Sequence, residues 1–335
     1  MNINTTDMCS SVPFNITKYF KIPIYSIVVA AGLPLNCLAL WVLIFQIKRS
    51  ITLSVYILNL VLANLLQTLT LPFWMYYSYH DHCWHLGKAM CVVAGLAFRT
   101  NFYAKNNFLC LIAMERFIGL VHPLKFHRLQ TISGAAKVCT ITWFLVVVLC
   151  SVGIWLQVKG PGLWQGQHCL DEVPLHYARF KVATTSLSFF APFLLMGFFY
   201  FRVLFELRKV TSLEKKVKRQ IYGFVSLIIA SFFLLFVPYQ VVSYYQYLSI
   251  VILGEKESGE FERSIFICFH TTLSLTTLGN ILDPLLYILL LKDVRAELKD
   301  LICCKAHKTG ISYSLKEQGL SPRCTSGQML DQPRS

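Results

Sequence analysis

Lys105 and Arg116 lie eleven residues apart inside one long apolar stretch, Ala89–Val121. Eleven residues of α-helix are three turns, so the two cations share a face. A charge in such a stretch is costly unless it is paired, and it marks a functional site by default. Arg116 has a carboxylate beside it in the triplet Glu115-Arg116-Phe117, which closes the stretch. A charged pair where an apolar helix meets water has the character of a switch that addresses a soluble partner.

A second group of side chains can titrate. Histidine has a free pKa of about 6.5, so its charge changes in the range of mild acidification. His80, His82, His85, His168, His176 and His270 gather near one set of stretch ends, close to Asp81, Asp171, Glu172 and Glu262. Charging these rings as pH falls would create repulsion and new carboxylate bonds, enough to tip a bistable bundle. A third group could clamp a phosphate or carboxylate: Arg99, Arg179, Lys181 and Arg263, with Phe98, Phe102, Tyr103, Tyr244 and Tyr245 as an apolar wall. The histidines are irregularly spaced and no H-E-x-x-H pattern occurs, so neither a metal, a cofactor nor an enzyme is expected.

These groups are carried by seven apolar stretches: Ile22–Phe45, Leu53–Tyr79, Ala89–Val121, Gly134–Val158, Tyr177–Leu207, Val217–Leu253 and Phe261–Leu291. About 20 apolar residues cross a bilayer as a helix, and lipid offers the backbone no other partner. The chain of 335 residues is 55% hydrophobic and 14% charged. Its mean hydropathy is +0.54, too apolar for a soluble core. The reading is an all-α membrane protein: a seven-transmembrane helix bundle. It has an outer N-terminus over 1–21, the bundle over 22–291, a short cytoplasmic amphipathic helix 8 over 292–302 and a disordered tail over 303–335. The first stretch is expected to act as an uncleaved signal anchor.

The net charge of +14 sits at the ends of the stretches, with Lys48, Arg49, Lys125, Arg128, Arg208, Lys209 and Lys215 on one side. The positive-inside rule makes that side cytoplasmic. This placement argues for plasma-membrane topology and against nucleic-acid binding. Asn4 and Asn15 open glycosylation triplets useful only outside. Cys91 and Cys169 both face the oxidising side and can bridge; two of Cys9, Cys83 and Cys268 could also pair, in no order the sequence fixes. Cys303 and Cys304 follow the amphipathic segment and suit palmitoylation. The polar tail, with Ser312, Ser314, Ser321, Thr325 and Ser326, offers phosphorylation sites. Pro34, Pro72, Pro192, Pro238 and Pro284 fall inside stretches and are expected to kink them. No internal repeat supports a transporter.

In order along the chain stand Gly32-Leu33-Pro34-Leu35-Asn36, Leu58-Asn59-Leu60-Val61-Leu62-Ala63-Asn64, Cys91, Glu115-Arg116-Phe117 and Trp143. Then come Cys169, Pro192 with Tyr200, Phe232 with Phe236-Val237-Pro238-Tyr239, and Asn280 with Asp283-Pro284-Leu285-Leu286-Tyr287. This ordered set resembles class A (rhodopsin-like) G-protein-coupled receptors over about residues 20–302. The resemblance implies a heterotrimeric G protein as partner, with arrestin, receptor kinases and membrane lipids. It makes Glu115, Arg116, Phe117, Tyr200, Phe232, Phe236, Pro238, Asp283, Pro284 and Tyr287 the activation switch. Lys218 stands where an acidic partner of Arg116 would sit in rhodopsin, so no ionic lock to the sixth span is expected. The usual aspartate of the second span is Asn64, and a small polar residue of the third is Lys105. A mid-membrane polar site of Asn36, Asn64, Lys105, Asn280 and Asp283 follows, in which the Lys105 ammonium replaces sodium and pairs with Asp283.

Three further segments resemble the proton-sensing and lysolipid-linked branch, near the nucleotide receptors. They are Thr70-Leu71-Pro72-Phe73-Trp74 with His80-Asp81-His82-Cys83-Trp84, Phe261-Glu262-Arg263 with His270-Thr271-Thr272-Leu273, and the run His122-Pro123-Leu124-Lys125-Phe126 after Phe117. That resemblance puts proton sensing on His80, His168 and His270. It departs in the fourth span, where Val146-Val147-Val148 offers no buried acid. The competing expectation is an anionic lipid (lysophospholipid or fatty acid) or a nucleotide, bound by Phe98, Arg99, Phe102, Arg179, Tyr244 and Arg263.

Overall fold

A computed structural model describes residues 14–48, 52–121, 131–159, 168–209, 228–254 and 258–290, with isolated positions between 219 and 226. Asn4, Cys9, helix 8, the tail, Cys303 and Cys304 lie outside the described residues, as do the side chains of Asn15, Glu262, Arg263 and Tyr287. Among the described residues the chain is helical, with no strand. We name the helices α1 (Phe14–Ile27), α2 (Leu33–Lys48), α3 (Thr52–Tyr79), α4 (Lys88–Val121), α5 (Ile132–Val158), α6 (Leu175–Thr185), α7 (Ala191–Lys209), α8 (Val237–Leu253), α9 (Ser258–Thr276) and α10 (Gly279–Leu290).

They make seven rods. α1 and α2 form the first, α6 and α7 the fifth, α9 and α10 the seventh. Among the described residues, five rods are both long and apolar enough to cross a membrane: Ile16–Ile44, Thr52–Tyr79, Ile132–Val158, Ile228–Leu253 and Ser264–Leu285. α4 has the length, at 34 residues, but carries Arg99, Lys105, Glu115 and Arg116. The first rod begins earlier than its apolar run, at Phe14 rather than Ile22. Its added turns bring Thr17 and Lys21 into the bundle, where both are buried.

Prolines explain where the rods widen. π-helical turns occupy Val28–Gly32, Ser186–Phe190 and Phe232–Phe236. Each ends two residues before a proline: Pro34, Pro192 and Pro238. Proline donates no N–H and crowds the carbonyl four residues back, so the preceding turn opens. Every such turn holds one extra residue and rotates the faces beyond it by about 100°. Large apolar side chains such as Phe144, Leu194 and Leu234 point outward, each about two-thirds exposed or more. That is the surface a helix presents to lipid, whose tails leave no reason to hide it.

α4 is the central element. It packs on α3, α5 and α7, while α8 packs on α6 and α9, and α1 on α3 and α9. α3 and α4 meet at a disulfide-braced end, and α4 carries Glu115 and Arg116 to the other.

Candidate functional site

The disulfide links Cys91, in the first turn of α4, to Cys169, with Cα atoms 5.7 Å apart. It pins the segment before α6 over the bundle mouth. The Cys169 N–H donates to the Tyr77 hydroxyl at 3.0 Å, and that hydroxyl donates to Asp171 Oδ2 at 2.6 Å. His82 lies against the same oxygen, its Nδ1 3.0 Å away. A carboxylate only accepts, so Nδ1 carries the hydrogen. The other ring nitrogen, Nε2, lies 3.0 Å from Thr17 Oγ1 and accepts from that hydroxyl in the neutral ring. The ring is fully buried. The backbone makes this possible: Asp81, His82 and Leu170 have φ of 48°, 63° and 59°, the left-handed region. Histidine and aspartate tolerate that region better than most residues.

The His270 ring, on α9, stands 5.2 Å from the His82 ring, and Phe266 packs on it at 4.3 Å. Its Nδ1 is buried, with no hydrogen-bond partner among the described residues. Lys21 lines the same cavity. Burial alone would raise the Asp171 carboxyl. The His82 ring, its hydrogen bond, His270 and the Tyr77 hydroxyl outweigh burial and hold the acid well below the usual carboxylate range. For His82 burial wins: its pKa sits below the ordinary value of 6.5 although Asp171 pulls it upward. Near neutral pH the site therefore holds one carboxylate and a neutral His82.

The structure separates the histidines that the sequence groups together. His80 is not in the cluster: its Nδ1 lies 3.0 Å from the Tyr76 carbonyl, back on its own helix, and its ring tilts against Tyr76 and meets His85 edge-on. His82 takes that place. His168 stands at the rim, its Nδ1 3.0 Å from the His82 carbonyl, and His270 lies beside the His82 ring. Of the acids, Asp171 is the partner, while Asp81 faces Lys18 at 3.4 Å on the surface.

Below the cluster a cavity of about 420 Å³ runs into the bundle, bordered by Phe98, Arg99, Phe102, Tyr103, Lys181 and Tyr239. Two expected wall residues stand elsewhere. Arg179 is exposed. Tyr244 packs on Phe190 toward the fifth rod, with its hydroxyl 3.4 Å from Ser186 Oγ. Tyr177 and Tyr247, which sequence reasoning missed, line the space in its place.

At mid-bundle the polar residues meet as a single node. Lys105, fully buried, donates to Asn280 Oδ1 at 2.6 Å and lies 3.8 Å from Asp283 Oδ2. Asn64 donates to Asp283 at 3.2 Å, Asn280 to Thr68 at 3.0 Å, and Asn36 to the Asn280 carbonyl at 2.6 Å. The Phe236 ring covers the ammonium at 5.4 Å. Gly279 leaves it room, since a Cβ there would stand 3.2 Å from Nζ. Phe236 in turn stacks on Phe232 at 5.7 Å and tilts against Phe102 at 5.8 Å. At the far end Arg116 Nε lies 3.5 Å from Glu115 Oε2, and Tyr200, on α7, is fully buried. Pro238 and Pro284 sit at the start of α8 and inside α10. A chain of contacts thus runs from the cavity through Phe102 and Phe236 to the polar node.

A family model described as "7 transmembrane receptor (rhodopsin family)" matches residues 35–287. The chain is 31% identical over 297 residues to G-protein coupled receptor 68 of Mus musculus, covering 85% of this chain and 78% of that one. It is 28% identical over 276 residues to the uracil nucleotide/cysteinyl leukotriene receptor of Rattus norvegicus, covering 81% and 79%. It is 26% identical over 323 residues to probable G-protein coupled receptor 132 of Homo sapiens, covering 92% and 79%. Seven rods, an ordered motif set on them and these matches have one meaning: the chain belongs to the rhodopsin family of seven-transmembrane, G-protein-coupled receptors, a multi-pass membrane protein that signals rather than catalyses.

Proposed function

We propose that this receptor is switched on by acid at its outer face, sensed by His82 and His270 around Asp171. The disulfide end is then extracellular with the N-terminus, and Arg116 faces the G protein in the cytoplasm. The observation that carries the reading is the meeting of two buried imidazoles, 5.2 Å apart, with Lys21 around the Asp171 carboxylate that His82 bonds. Among Lys21, Asp171, His82 and His270 the balance at neutral pH is one cation and one anion. Each proton added as pH falls leaves a positive excess. Two unit charges about 5 Å apart repel by about 3 kcal/mol at an effective dielectric of about 20.

The sign follows from linkage. Burial disfavours the charged His82 ring in the closed cluster, while a hydrated ring in an opened cluster regains its ordinary affinity for protons. The opened state binds more protons, so acid shifts the population toward it. Opening moves α9 away from Asp81–His82. Ser274, one turn below His270, donates to its carbonyl at 2.7 Å, and the same rod continues to Asn280 and Asp283. The motion therefore arrives at the Lys105 node and, through Phe236, at the sixth rod that must swing for G-protein coupling. Arrestin and receptor kinases would act on the serine-rich tail, with Cys303 and Cys304 acylated at the inner leaflet and Asn4 and Asn15 glycosylated outside.

The test is to record second messengers in cells expressing the receptor while external pH is stepped from about 8 to about 6. The response should rise as pH falls. A flat response with normal surface expression would refute acid sensing.

A further inference from the structure

Arg99 and Lys181 are two cations that the acid switch does not use. Among the described residues neither has a carboxylate partner. Lys181, 7% exposed, donates to the Tyr103 hydroxyl and lies over the Tyr103 and Tyr247 rings at 4.8 and 5.4 Å. The Arg99 guanidinium lies over the Tyr177 ring at 5.6 Å. Aromatic faces attract cations but cannot neutralise them. Lys181 is buried and Arg99 half-buried, and cations so placed are costly until an anion brings the opposite charge.

The same four side chains, Arg99, Tyr103, Tyr177 and Lys181, border a second cavity of about 420 Å³. This one opens sideways between α5 and the fifth rod. Its mouth is formed by Leu145, Leu149, Leu187 and Leu195, which are 53%, 46%, 74% and 48% exposed and face lipid. Its polar side chains are already committed to their own helices. Thr142 donates to the Val138 carbonyl, Thr184 to Phe180 and Asn107 to Tyr103. The space is apolar along its length and cationic at its inner end.

We infer that this side cavity binds a single-chain anionic amphiphile that enters from the bilayer. Its carboxylate or phosphate sits on Arg99 and Lys181 and its chain lies between α5 and the fifth rod. A nucleotide fits poorly, because its polar ribose and base would lie against walls that are mostly apolar. The head group also borders the central cavity, where the Phe102 ring stands 5.3 Å from Tyr239 and 5.8 Å from Phe236. The amphiphile is thus a second input that bears on the same node from another side. It is independent of histidine charge.

The experiment uses the full receptor in phosphatidylcholine nanodiscs at pH 8, where His82 is neutral. The probes are oleate, 1-oleoyl lysophosphatidate, neutral monoolein and UDP. Oleate or lysophosphatidate should bind saturably, and monoolein at least tenfold more weakly. Arg99→Gln and Lys181→Gln should each weaken the anionic probes about tenfold or more, while Arg99→Lys keeps most of the affinity. Leu149→Trp, at the lipid-facing mouth, should weaken them as well. Thermal melting of each variant separates lost binding from lost fold. Equal binding of monoolein would overturn the proposal. So would anionic binding indifferent to Arg99→Gln and Leu149→Trp, UDP binding that Leu149→Trp leaves untouched, or no binding of either amphiphile.

Discussion

The Lys105 ammonium lies 2.6 Å from Asn280 Oδ1 and 3.8 Å from the Asp283 carboxylate, so the amide is its first partner and the acid its counter-charge. α4 and α10 are joined at the middle of the bundle by a charge the protein carries itself, not by a borrowed ion. Asn64 completes the arrangement by donating to the same carboxylate oxygen.

Breaking this pair from one side should cost more than removing it. Lys105→Met leaves Asp283 buried alone, and such an uncompensated charge costs about 3–5 kcal/mol. Lys105→Met with Asp283→Asn should recover much of that loss. Thermal melting of the purified singles and double measures the coupling. A double that is no more stable than the sum of its singles would refute the pair.

Sodium should have no effect on this receptor. The ammonium occupies the space between Asn280 and Asp283, beside Gly279. Guanine-nucleotide exchange at fixed ionic strength, with sodium exchanged for a bulky organic cation, should give superimposable curves.

Asp171→Asn should raise activity at neutral pH and flatten the acid response. The amide keeps an acceptor for Tyr77 and His82 but no longer offsets Lys21, so the resting cluster loses the anion that holds it closed. Basal exchange at pH 8 is the reading, and an increase of several-fold is expected. Unchanged basal exchange with a normal acid curve would remove Asp171 from the mechanism.

Glu115→Gln should also raise basal exchange, because the carboxylate 3.5 Å from Arg116 restrains it at rest. Arg116→Ala should abolish exchange at normal surface expression. The two variants act at the far end from the histidines and should leave the pH midpoint of any remaining response where it was.

The bundle was legible in the sequence because apolar runs of membrane length are hard to hide, and the ordered motifs fixed which rods meet. The polar node was legible for the same reason: a lysine inside α4 must find a partner, and Asp283 was foreseen. That Asn280 is the nearer partner depends on side-chain reach, which spacing does not encode. The histidines were legible as a group, but their individual placement was not. His80 ends a helix and bonds back to it, while His82, two residues on, is folded inward by a left-handed turn that no periodicity announces. In the cavity, Arg179 and Lys181 are two residues apart on a helix, nearly opposite faces, and nothing local says which one is inside. Tyr247 lines the cavity, while Tyr244, three residues earlier on the same helix, turns toward Phe190 and Ser186.

The most direct measurement is G-protein activation against external pH for the wild type, the His82→Gln/His270→Gln double variant and His80→Gln, at matched surface expression. Wild type and His80→Gln should share one curve that rises on acidification, with a midpoint below 6.5, because burial holds His82 under its ordinary value. The double variant should stay flat. An acid response that survives in the double variant, or that disappears with His80→Gln alone, would contradict the account.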